Sequence, residues 1–358
     1  MRVAVLGVGL IGGSIGLAAR ARAGAHVCGY DPDADVRAKA LALGAIDEAA
    51  ADVAAAVAGA DVVFVAAPVS SLVETVGLAL AGAGRDCVVS DVGSTKRVVA
   101  DAGADERFIG GHPLAGAETA GVEHAREDLF DGATWYLTPA RGSTAGVLYE
   151  RLYRLLLGFG AQPTAIDAET HDRLMACVSH LPHVLANLLV AQAAGTLVQE
   201  GSGRLPAVGP SFRDATRVAG ANSAIWTDIY LSNSDALIAG IDEFAERLAA
   251  LRAWLAAGEA APVRAWNDRA RSDRDALLGA GLVGGPVHEL RASVPNRPGV
   301  IAEIALALGR AGVNIVDMAL SPSEDNRQGV VALWIAGADD AARARDMIAD
   351  LGFPVAAP

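Results

Sequence analysis

A glycine-rich run near the amino terminus restricts the fold of this chain more than any other feature. The run GVGLIG, residues 7–12, directly follows an apolar β-type segment and opens a helical pattern. In that context Gly7 makes a tight turn, Gly9 lets the backbone approach a pyrophosphate, and Gly12 allows close packing of helix on strand. The helix amino terminus offers amide donors to the anion. The run predicts a dinucleotide-binding α/β domain, and a glycine-rich turn without a ligand is the alternative.

A carboxylate at the end of the second predicted strand indicates which dinucleotide binds. Asp31 lies nineteen residues after Gly12, where a carboxylate suits the ribose diol of NAD and repels the 2′-phosphate of NADP. NAD is therefore the predicted cofactor. The predicted cofactor-binding residues are Gly7, Gly9, Leu10, Ile11, Gly12, Asp31, Ala67 and Pro68.

Hydrophobic patterning changes twice along the chain. From residue 2 to about 166, short β-type runs alternate with helical patterns, which predicts a mostly parallel sheet with crossover helices. Long helical patterns at about 168–200 and 222–255 predict an all-helical second domain, and the Arg-, Asp- and Gly-rich stretch 269–286 is interpreted as frayed helix and linker. The predicted strands of the first part are 3–6, 27–30, 62–65, 88–92, 135–138 and 163–166.

The last seventy-odd residues return to mixed structure. Their order is βαββαβ, with predicted strands at 287–294, 313–321, 330–335 and 353–355 and helices at 299–310 and 341–350, which is typical of a ferredoxin-like sandwich. The predicted fold class is thus α/β in three domains. They are a Rossmann-type parallel sheet at 1–166, an all-helical domain for substrate binding and dimerisation at 167–280, and a ferredoxin-like domain at 286–358.

Charge and composition exclude several classes of partner. The formal net charge of −13 argues against nucleic acid and anionic membranes. Glycines interrupt the apolar stretch 3–19, which argues against a signal peptide, and no other stretch is apolar enough for a transmembrane helix. Three widely spaced cysteines fit neither a disulfide framework nor a zinc site. These features predict a soluble, cytoplasmic protein without nucleic-acid or membrane partners.

Two polar motifs follow the later strands of the first domain. Ser94, within DVGSTK at 91–96, either lies near the nicotinamide end of the cofactor or caps a helix, and Lys96 is interpreted as solvated. His112, within GGHPLAGAE at 110–118, is expected in a glycine-flanked loop at the ligand-binding edge. Oxidation of an alcohol needs a base whose pKa is near neutrality. His112 is therefore the candidate base.

The helical domain adds further candidates. Pro182 interrupts a long helical pattern and predicts a kink. Ser179 and His183 are four residues apart on one face, and His180 and His183 are interpreted as a polar core pair because no Asp, Glu or Cys joins them at ligand spacing. No metal is predicted. Arg217 is either an ordinary salt-bridging residue or a bidentate clamp for a carboxylate.

Taken in order, GVGLIGGS, DVGSTK, GGHPLAGAE, VSHLPH and FRDATR resemble the prephenate/arogenate dehydrogenase family of tyrosine biosynthesis, over residues 1 to about 260. Residues 287–358, with NRPG at 296–299 and GVNI at 312–315, are similar to an ACT domain, a small amino-acid-sensing module. The resemblance implies NAD-dependent oxidative decarboxylation of the small molecule prephenate to 4-hydroxyphenylpyruvate, with tyrosine as the amino-acid effector.

The resemblance also assigns roles to particular residues. His112 matches the histidine that accepts the proton of the ring hydroxyl, and Ser94 matches the serine that helps hold this histidine and the substrate. Arg217 matches the arginine that binds the substrate carboxylate, and Arg213 is expected to assist it. The further matches are substrate-pocket positions Ser179, His183 and Glu118, and effector-site positions Asn296, Pro298, Gly299 and Asn314.

Several alternatives stay open at this point. Arogenate is the alternative substrate, because GPS at 209–211 replaces the glycine run of many members and leaves the side-chain preference open. A non-catalytic NAD and amino-acid sensor is a further alternative, and the ACT-like module alternatively serves only dimerisation. β-Hydroxyacid dehydrogenases are similar in outline but use a lysine in their helical domain, and no lysine follows Lys96 here. Apolar helices such as 181–198 predict a homodimer.

Overall fold

The computed structural model describes residues 1–116, 119–139, 146–199, 208–280, 287–313, 315–322 and 328–356. These residues form two compact units, Met1–Ala245 and Glu246–Pro358. Each unit has a hydrophobic core of its own.

A five-stranded parallel sheet forms the centre of the first unit. Its strands are β1 (Arg2–Leu6), β2 (His26–Tyr30), β3 (Glu48–Ala49), β4 (Val62–Val65) and β5 (Val88–Asp91), in the order β3-β2-β1-β4-β5. The connecting helices are α1 (Leu10–Ala23), α2 (Ala34–Ala42), α3 (Val53–Val57) and α4 (Val69–Gly82). Strands β4 and β5 are completely buried, as expected for apolar runs covered by helices on both faces. This order matches the first five positions of the Rossmann strand order 3-2-1-4-5-6.

A second, three-stranded sheet continues the first unit. It consists of β6 (Gly110–Pro113), β7 (Thr134–Thr138) and β8 (Gln162–Ala165), and α5 (Val147–Gly158) lies between the last two. β6 and β7 are antiparallel, whereas β7 and β8 are parallel. The expected loop at His112 is therefore wrong, because His112 lies on β6 opposite Tyr136. The short strand escapes notice in the sequence because two of its four residues are glycines.

Helices follow the second sheet. They are α6 (Ala168–Met175), α7 (Leu181–Gln199), α8 (Pro210–Thr216), α9 (Ser223–Ser232) and α10 (Ser234–Ala257). The kink predicted at Pro182 stays a prediction; Pro182 is the second residue of α7, and a π-helical turn at Ala176–His180 directly precedes that helix. By length and composition alone the stretch Ala168–Gly195 could span a membrane, and 28% of its apolar window is buried.

The second unit contains α11 (Ala260–Ala280) and the βαββαβ segment. That segment comprises β9 (Val287–Pro295), α12 (Val300–Arg310), β10 (Ile315–Pro322), β11 (Gln328–Ala336), α13 (Ala338–Asp350) and β12 (Val355–Ala356), in the sheet order β10-β11-β9-β12. The predicted ferredoxin-like order is confirmed. The frayed helix expected from residue 269 is wrong as far as 280, because α11 is continuous there. Arginine, alanine and leucine sustain that helix despite its charge.

Candidate active site

The turn between β1 and α1 has the shape that a bound dinucleotide requires. Gly7 adopts φ +92°, and a Cβ there would lie 2.4 Å from the carbonyl oxygen of Ala66. A Cβ on Gly12 would lie 1.8 Å from the carbonyl oxygen of Gly7. A Cβ on Gly9 would meet nothing within 4 Å, and no side chain caps α1. The open space at Gly9 and the uncapped helix amides therefore fit a pyrophosphate.

Asp31 lies beside this turn, as expected of the residue that binds an adenosine ribose. Its Oδ2 accepts a hydrogen bond from the Val8 amide at 3.1 Å, and its Oδ1 accepts one from the Asp33 amide at 3.1 Å. Ala67 and Pro68 follow β4, and the Ala67 amide lies 3.4 Å from where a Gly7 Cβ would be. The structure thus brings the predicted cofactor residues together at one edge of the sheet. Leu10 and Ile11 are half-buried in the first turn of α1.

His112 is joined to two buried residues that the sequence did not single out. Its Nδ1 lies 2.9 Å from Nε2 of His171, and Nδ1 of His171 lies 2.8 Å from Oδ1 of Asp172. His171 and Asp172 are fully buried on α6, whereas His112 is only half-buried. Burial holds the pKa of His112 well below its usual value, and electrostatic repulsion between a protonated His112 and its neighbours His171, Lys96 and His180 acts in the same direction. His112 is therefore a neutral imidazole at physiological pH and can accept a proton.

A buried ion pair fixes the backbone next to His112. Lys96 is fully buried, not solvated as the sequence suggested, and its Nζ donates hydrogen bonds to Asp91 Oδ2 and, at 2.6 Å, to the Gly111 carbonyl. The Gly111 amide in turn donates to Asp91 Oδ1 at 3.0 Å. A Cβ at Gly111 would lie 2.6 Å from the Asp91 carbonyl, so β6 approaches β5 closely there. Both backbone groups of the residue preceding His112 are thus held.

Ser94 lies half-buried in the loop after β5, at the carboxyl end of the parallel sheet. The 3₁₀ helix Arg97–Ala104 that follows has no side-chain cap, which argues against the capping interpretation of Ser94. The hydrogen bond at Nδ1 of His112 goes to His171, and no hydrogen bond joins Ser94 to His112 in the described part of the chain. Ser94 lies at the carboxyl end of the parallel strands, the edge at which open α/β sheets bind ligands.

His180 and His183 are both buried, but each has its own partners. His180 Nδ1 accepts a hydrogen bond from Asn233 at 3.2 Å. His183 stacks on Trp226 with ring centroids 3.6 Å apart and an angle of 3°, and its Nδ1 is hydrogen-bonded to the Tyr230 hydroxyl. Ser179 lies half-buried in the π-helical turn. Within the described residues, no group of three or more His, Cys, Asp or Glu side chains could hold a metal ion.

The remaining candidates lie at the surface or outside the described residues. Arg213 is exposed in the last turn of α8, and Arg217 is exposed at the start of the 3₁₀ turn Arg217–Gly220, which packs on α7. In the second unit, Asn296, Pro298 and Gly299 form an exposed turn between β9 and α12. Glu118 and Asn314 lie outside the described residues.

His171 and Asp172 are the functional candidates that sequence reasoning missed. They are the fourth and fifth residues of a helix capped by Asp167, whose carboxylate accepts from the Thr170 amide. An adjacent His-Asp pair near the start of a helix leaving the sheet was the available signal. The sequence of α6 is polar on most sides, so it does not reveal that this pair faces inward.

Comparisons with known proteins agree with this geometry. Family models match the chain in three consecutive parts: the nucleotide-binding domain of prephenate dehydrogenase at residues 15–164, its dimerization domain at 167–266, and an ACT domain at 288–344. Prephenate dehydrogenase from Bacillus subtilis is 33% identical over 360 residues, which cover 97% of this chain and 95% of that protein.

Solved structures give the same assignment. Prephenate dehydrogenase from Aquifex aeolicus, in complex with hydroxyphenyl propionate and NAD⁺, is 29% identical with a TM-score of 0.69, covering 76% of this chain and 97% of that chain. Arogenate dehydrogenase from Synechocystis is 27% identical with a TM-score of 0.67, covering 77% of this chain and 100% of that one. The chain therefore belongs to the prephenate dehydrogenase family and is an NAD-dependent oxidoreductase.

Proposed function

We propose that this protein catalyses the NAD-dependent oxidative decarboxylation of prephenate to 4-hydroxyphenylpyruvate. The observation that carries the proposal is the state of His112: a neutral imidazole, half-accessible, with one nitrogen held by His171 and the other left for substrate. Membership of the prephenate dehydrogenase family supplies the reaction class.

The net reaction removes one hydride and one carbon dioxide from the substrate, and the proton taken from the C4 hydroxyl returns to the same oxygen when the phenol forms. When bound, NAD supplies the hydride acceptor for the C4 hydrogen. The Nε2 atom of His112 accepts the proton of the C4 hydroxyl, and the bond between the ring and its carboxylate breaks so that its electron pair completes the aromatic ring. Because aromatisation is strongly favourable, the chain mainly has to position C4 and supply a base. The fixed β6 backbone serves that positioning.

Substrate anions need local cations in a chain of net charge −13. We assign the carboxylate clamp to Arg217, with Arg213 beside it one helical turn earlier, because a guanidinium binds a carboxylate bidentately. The packing of the Arg217–Gly220 turn on α7, the helix of His183, supports this assignment. Ser94, Ser179 and His183 are the proposed polar contacts, and Glu118 is retained from the family resemblance.

Arogenate is the second candidate substrate. The likeness to Synechocystis arogenate dehydrogenase favours it, and the GPS segment at 209–211 leaves the preference between the two side chains open. The two substrates differ in carrying a keto group or an ammonium group on the side chain. Pro210, the first residue of α8, restricts the backbone conformation of the GPS segment.

The ACT segment and the apolar helices suggest how the protein is assembled and controlled. We propose a cytoplasmic homodimer that binds an amino-acid effector, tyrosine. The exposed turn of Asn296, Pro298 and Gly299 is the proposed site, and Asn314 is retained from the family resemblance. The match to a dimerization domain and the exposed Leu188, Leu231 and Ile238 support the dimer. All three cysteines are free, which suits a reducing compartment.

The decisive experiment measures NADH formation with prephenate and with arogenate, each with NAD and with NADP, and then with added tyrosine. Turnover of prephenate with NAD, lost by orders of magnitude in H112N while NAD binding persists, is the expected result. Faster turnover of arogenate would assign the second candidate. Tight NAD binding without turnover of either substrate would contradict the proposed enzymatic activity and favour a non-catalytic sensor.

An R217A variant should chiefly raise KM, because the proposed role of Arg217 is to bind the substrate carboxylate. An unchanged KM would contradict that role.

A further inference from the structure

Three side chains form a line from the proposed substrate site into the protein interior. The His112 and His171 rings meet edge to face, with centroids 5.1 Å apart at 70°, and are joined by the 2.9 Å contact between Nδ1 and Nε2. Nδ1 of His171 then contacts Asp172 Oδ1 at 2.8 Å. The Tyr136 ring stands edge-on to His171, 5.6 Å away. The line therefore has a defined direction and little freedom to rearrange.

The carboxylate at the inner end of the line can only accept hydrogen bonds. Oδ1 of Asp172 accepts from the Lys96 amide at 2.7 Å, and Oδ2 accepts from the Arg97 amide at 3.0 Å and from Arg97 Nε at 3.3 Å. Although burial acts to raise the pKa of Asp172, the hydrogen bonds from His171, Arg97 and Lys96 lower it overall. Asp172 is therefore ionised in the folded protein at physiological pH.

An ionised Asp172 determines where each imidazole proton lies. Since the carboxylate carries no proton, Nδ1 of His171 must be the donor, and Nε2 of a neutral His171 is then an acceptor. That acceptor takes the Nδ1 proton of His112. The Nε2 atom of His112 consequently keeps its lone pair. The proposed reaction requires this atom as the proton acceptor.

We propose that His171 and Asp172 are positioning residues that hold His112 in the Nδ1–H form and disperse the positive charge it gains, an inference that rests on the proposed function. When Nε2 of His112 accepts the hydroxyl proton, the Nδ1 proton is shared with Nε2 of His171, and Asp172 offsets the added charge without itself becoming protonated. When decarboxylation turns the dienone into a phenolate, Nε2 of His112 returns the proton to that oxygen, so the product leaves as a phenol and His112 is neutral again.

The first test observes the imidazole protons directly, in the absence of substrate. Histidine labelled with ¹⁵N distinguishes Nδ1–H from Nε2–H rings by NMR, and single His→Gln variants assign the seven histidines. We expect His112 and His171 to be Nδ1–H at pH 7.5. In D172N the amide can donate to Nδ1 of His171, so both rings should lose that form. An Nε2–H ring at His112 in the wild-type protein would overturn the proposal.

The second test compares two replacements of His171. Gln places an amide oxygen near the position of Nε2, so H171Q keeps an acceptor for His112, whereas H171F fills the space without one. We expect kcat to fall by about 10²–10⁴-fold in H171F, to recover by at least about tenfold in H171Q, and KM to change less than about threefold in both. Equal kcat values in the two variants would show that His171 only fills space.

Controls distinguish this proposal from a general effect of mutating a buried histidine, from misfolding and from failure of the proposed function. His180 is buried nearby, but its Nδ1 bonds to Asn233 and it is not on the line, so H180Q should leave the His112 ring Nδ1–H. Calorimetric NAD binding and thermal unfolding report whether each variant is folded. If the wild-type protein turns over neither substrate while the NMR result holds, the proposed function fails and the hydrogen-bond assignment stands. If D172N does not fold, the two His171 variants still decide the question.

Discussion

Lys39 and Lys96, the two lysines of the chain, have opposite environments. Lys96 is fully buried against Asp91, whereas Lys39 pairs with Glu123 at 3.0 Å with half of its side chain exposed. K96M should lower the free energy of unfolding by about 3–5 kcal/mol because it leaves a buried carboxylate without its cation. K39M should cost less than about 1 kcal/mol. Urea unfolding measures both, and similar costs would contradict the ion-pair assignment.

Gly9 and Gly12 provide a second matched pair. G12A forces a Cβ to within 1.8 Å of a backbone oxygen and should destabilise the fold as well as abolish NAD binding. G9A adds a methyl group to open space, at φ −75°, so the apoprotein should keep its stability within about 1 kcal/mol. Its NAD affinity should fall at least about tenfold, because the methyl group occupies the pyrophosphate position. Calorimetric titration measures this affinity. A G9A variant that binds NAD as tightly as the wild-type protein would show that the turn does not hold the pyrophosphate.

His180 should make stability depend on pH. Burial lowers its pKa to about 4, whereas the unfolded chain has the ordinary value of about 6.5. Above pH 6.5 neither state binds the proton. As pH falls from 6.5 towards 4 only the unfolded state takes it up, so stability is lost across that window, by roughly 3 kcal/mol.

H180Q should therefore lose less unfolding free energy than the wild-type protein between pH 7 and pH 4, as measured by urea unfolding at each pH. Parallel curves for H180Q and wild type would show that His180 is protonated in the folded state as well.

At single positions, the sequence was informative where chemistry follows from local spacing. It predicted Gly7, Gly9 and Gly12 at one turn and Asp31 at the end of the second strand, and the structure places the Asp31 carboxylate beside that turn. It also selected His112, but it missed His171 because 59 residues separate the two in the chain. Contacts of that range depend on how β6 and α6 pack, which no local pattern encodes.

Among the elements, the 3₁₀ helix Arg97–Ala104 connects the parallel sheet to three helical segments. The Arg97 guanidinium donates to Asp172 on α6, to Asn233 before α10 and to Asp235 in the first turn of α10. R97Q should lower the free energy of unfolding by about 2–4 kcal/mol, because the buried Asp172 loses a charged donor.

D235N removes only the exposed end of this cluster, since the Asp235 side chain is 68% exposed. Its cost should stay below about 1 kcal/mol. Urea unfolding compares the two variants, and hydrogen exchange should accelerate in α6 only in R97Q. Equal costs in R97Q and D235N would mean that the exposed pair carries the stabilisation.

The sequence located most elements within one or two residues, because apolar β-type runs and helical periodicity are local signals. β1, β2, β4 and β5 were all predicted, and so were the strands of the βαββαβ segment. The failures have physical causes. Gly110 and Gly111 give β6 no β-propensity, and α11 continues through charged residues because its arginines and alanines favour a helix in water.

For the whole molecule, exposed apolar side chains are the main prediction about assembly. Leu231 on α9 is 71% exposed and lies in the part that matches a dimerization domain, whereas Leu43 after α2 is 51% exposed on the nucleotide-binding part. L231D should weaken dimerisation by at least about tenfold, and L43D should leave it unchanged. Light scattering after size exclusion at micromolar concentration reports the mass. A monomeric wild-type protein would refute the dimer.

The π-helical turn at Ala176–His180 acts as a one-residue insertion in the helical rod between α6 and α7. Each residue advances an α-helix by about 100°, so this extra residue sets the angular phase between His171 on one side and His183 on the other. Deleting exposed Val178 would restore an uninterrupted α-helix and rotate everything beyond it by about that angle. This segment should therefore tolerate substitutions far better than insertions or deletions, as a mutational survey that measures activity would show.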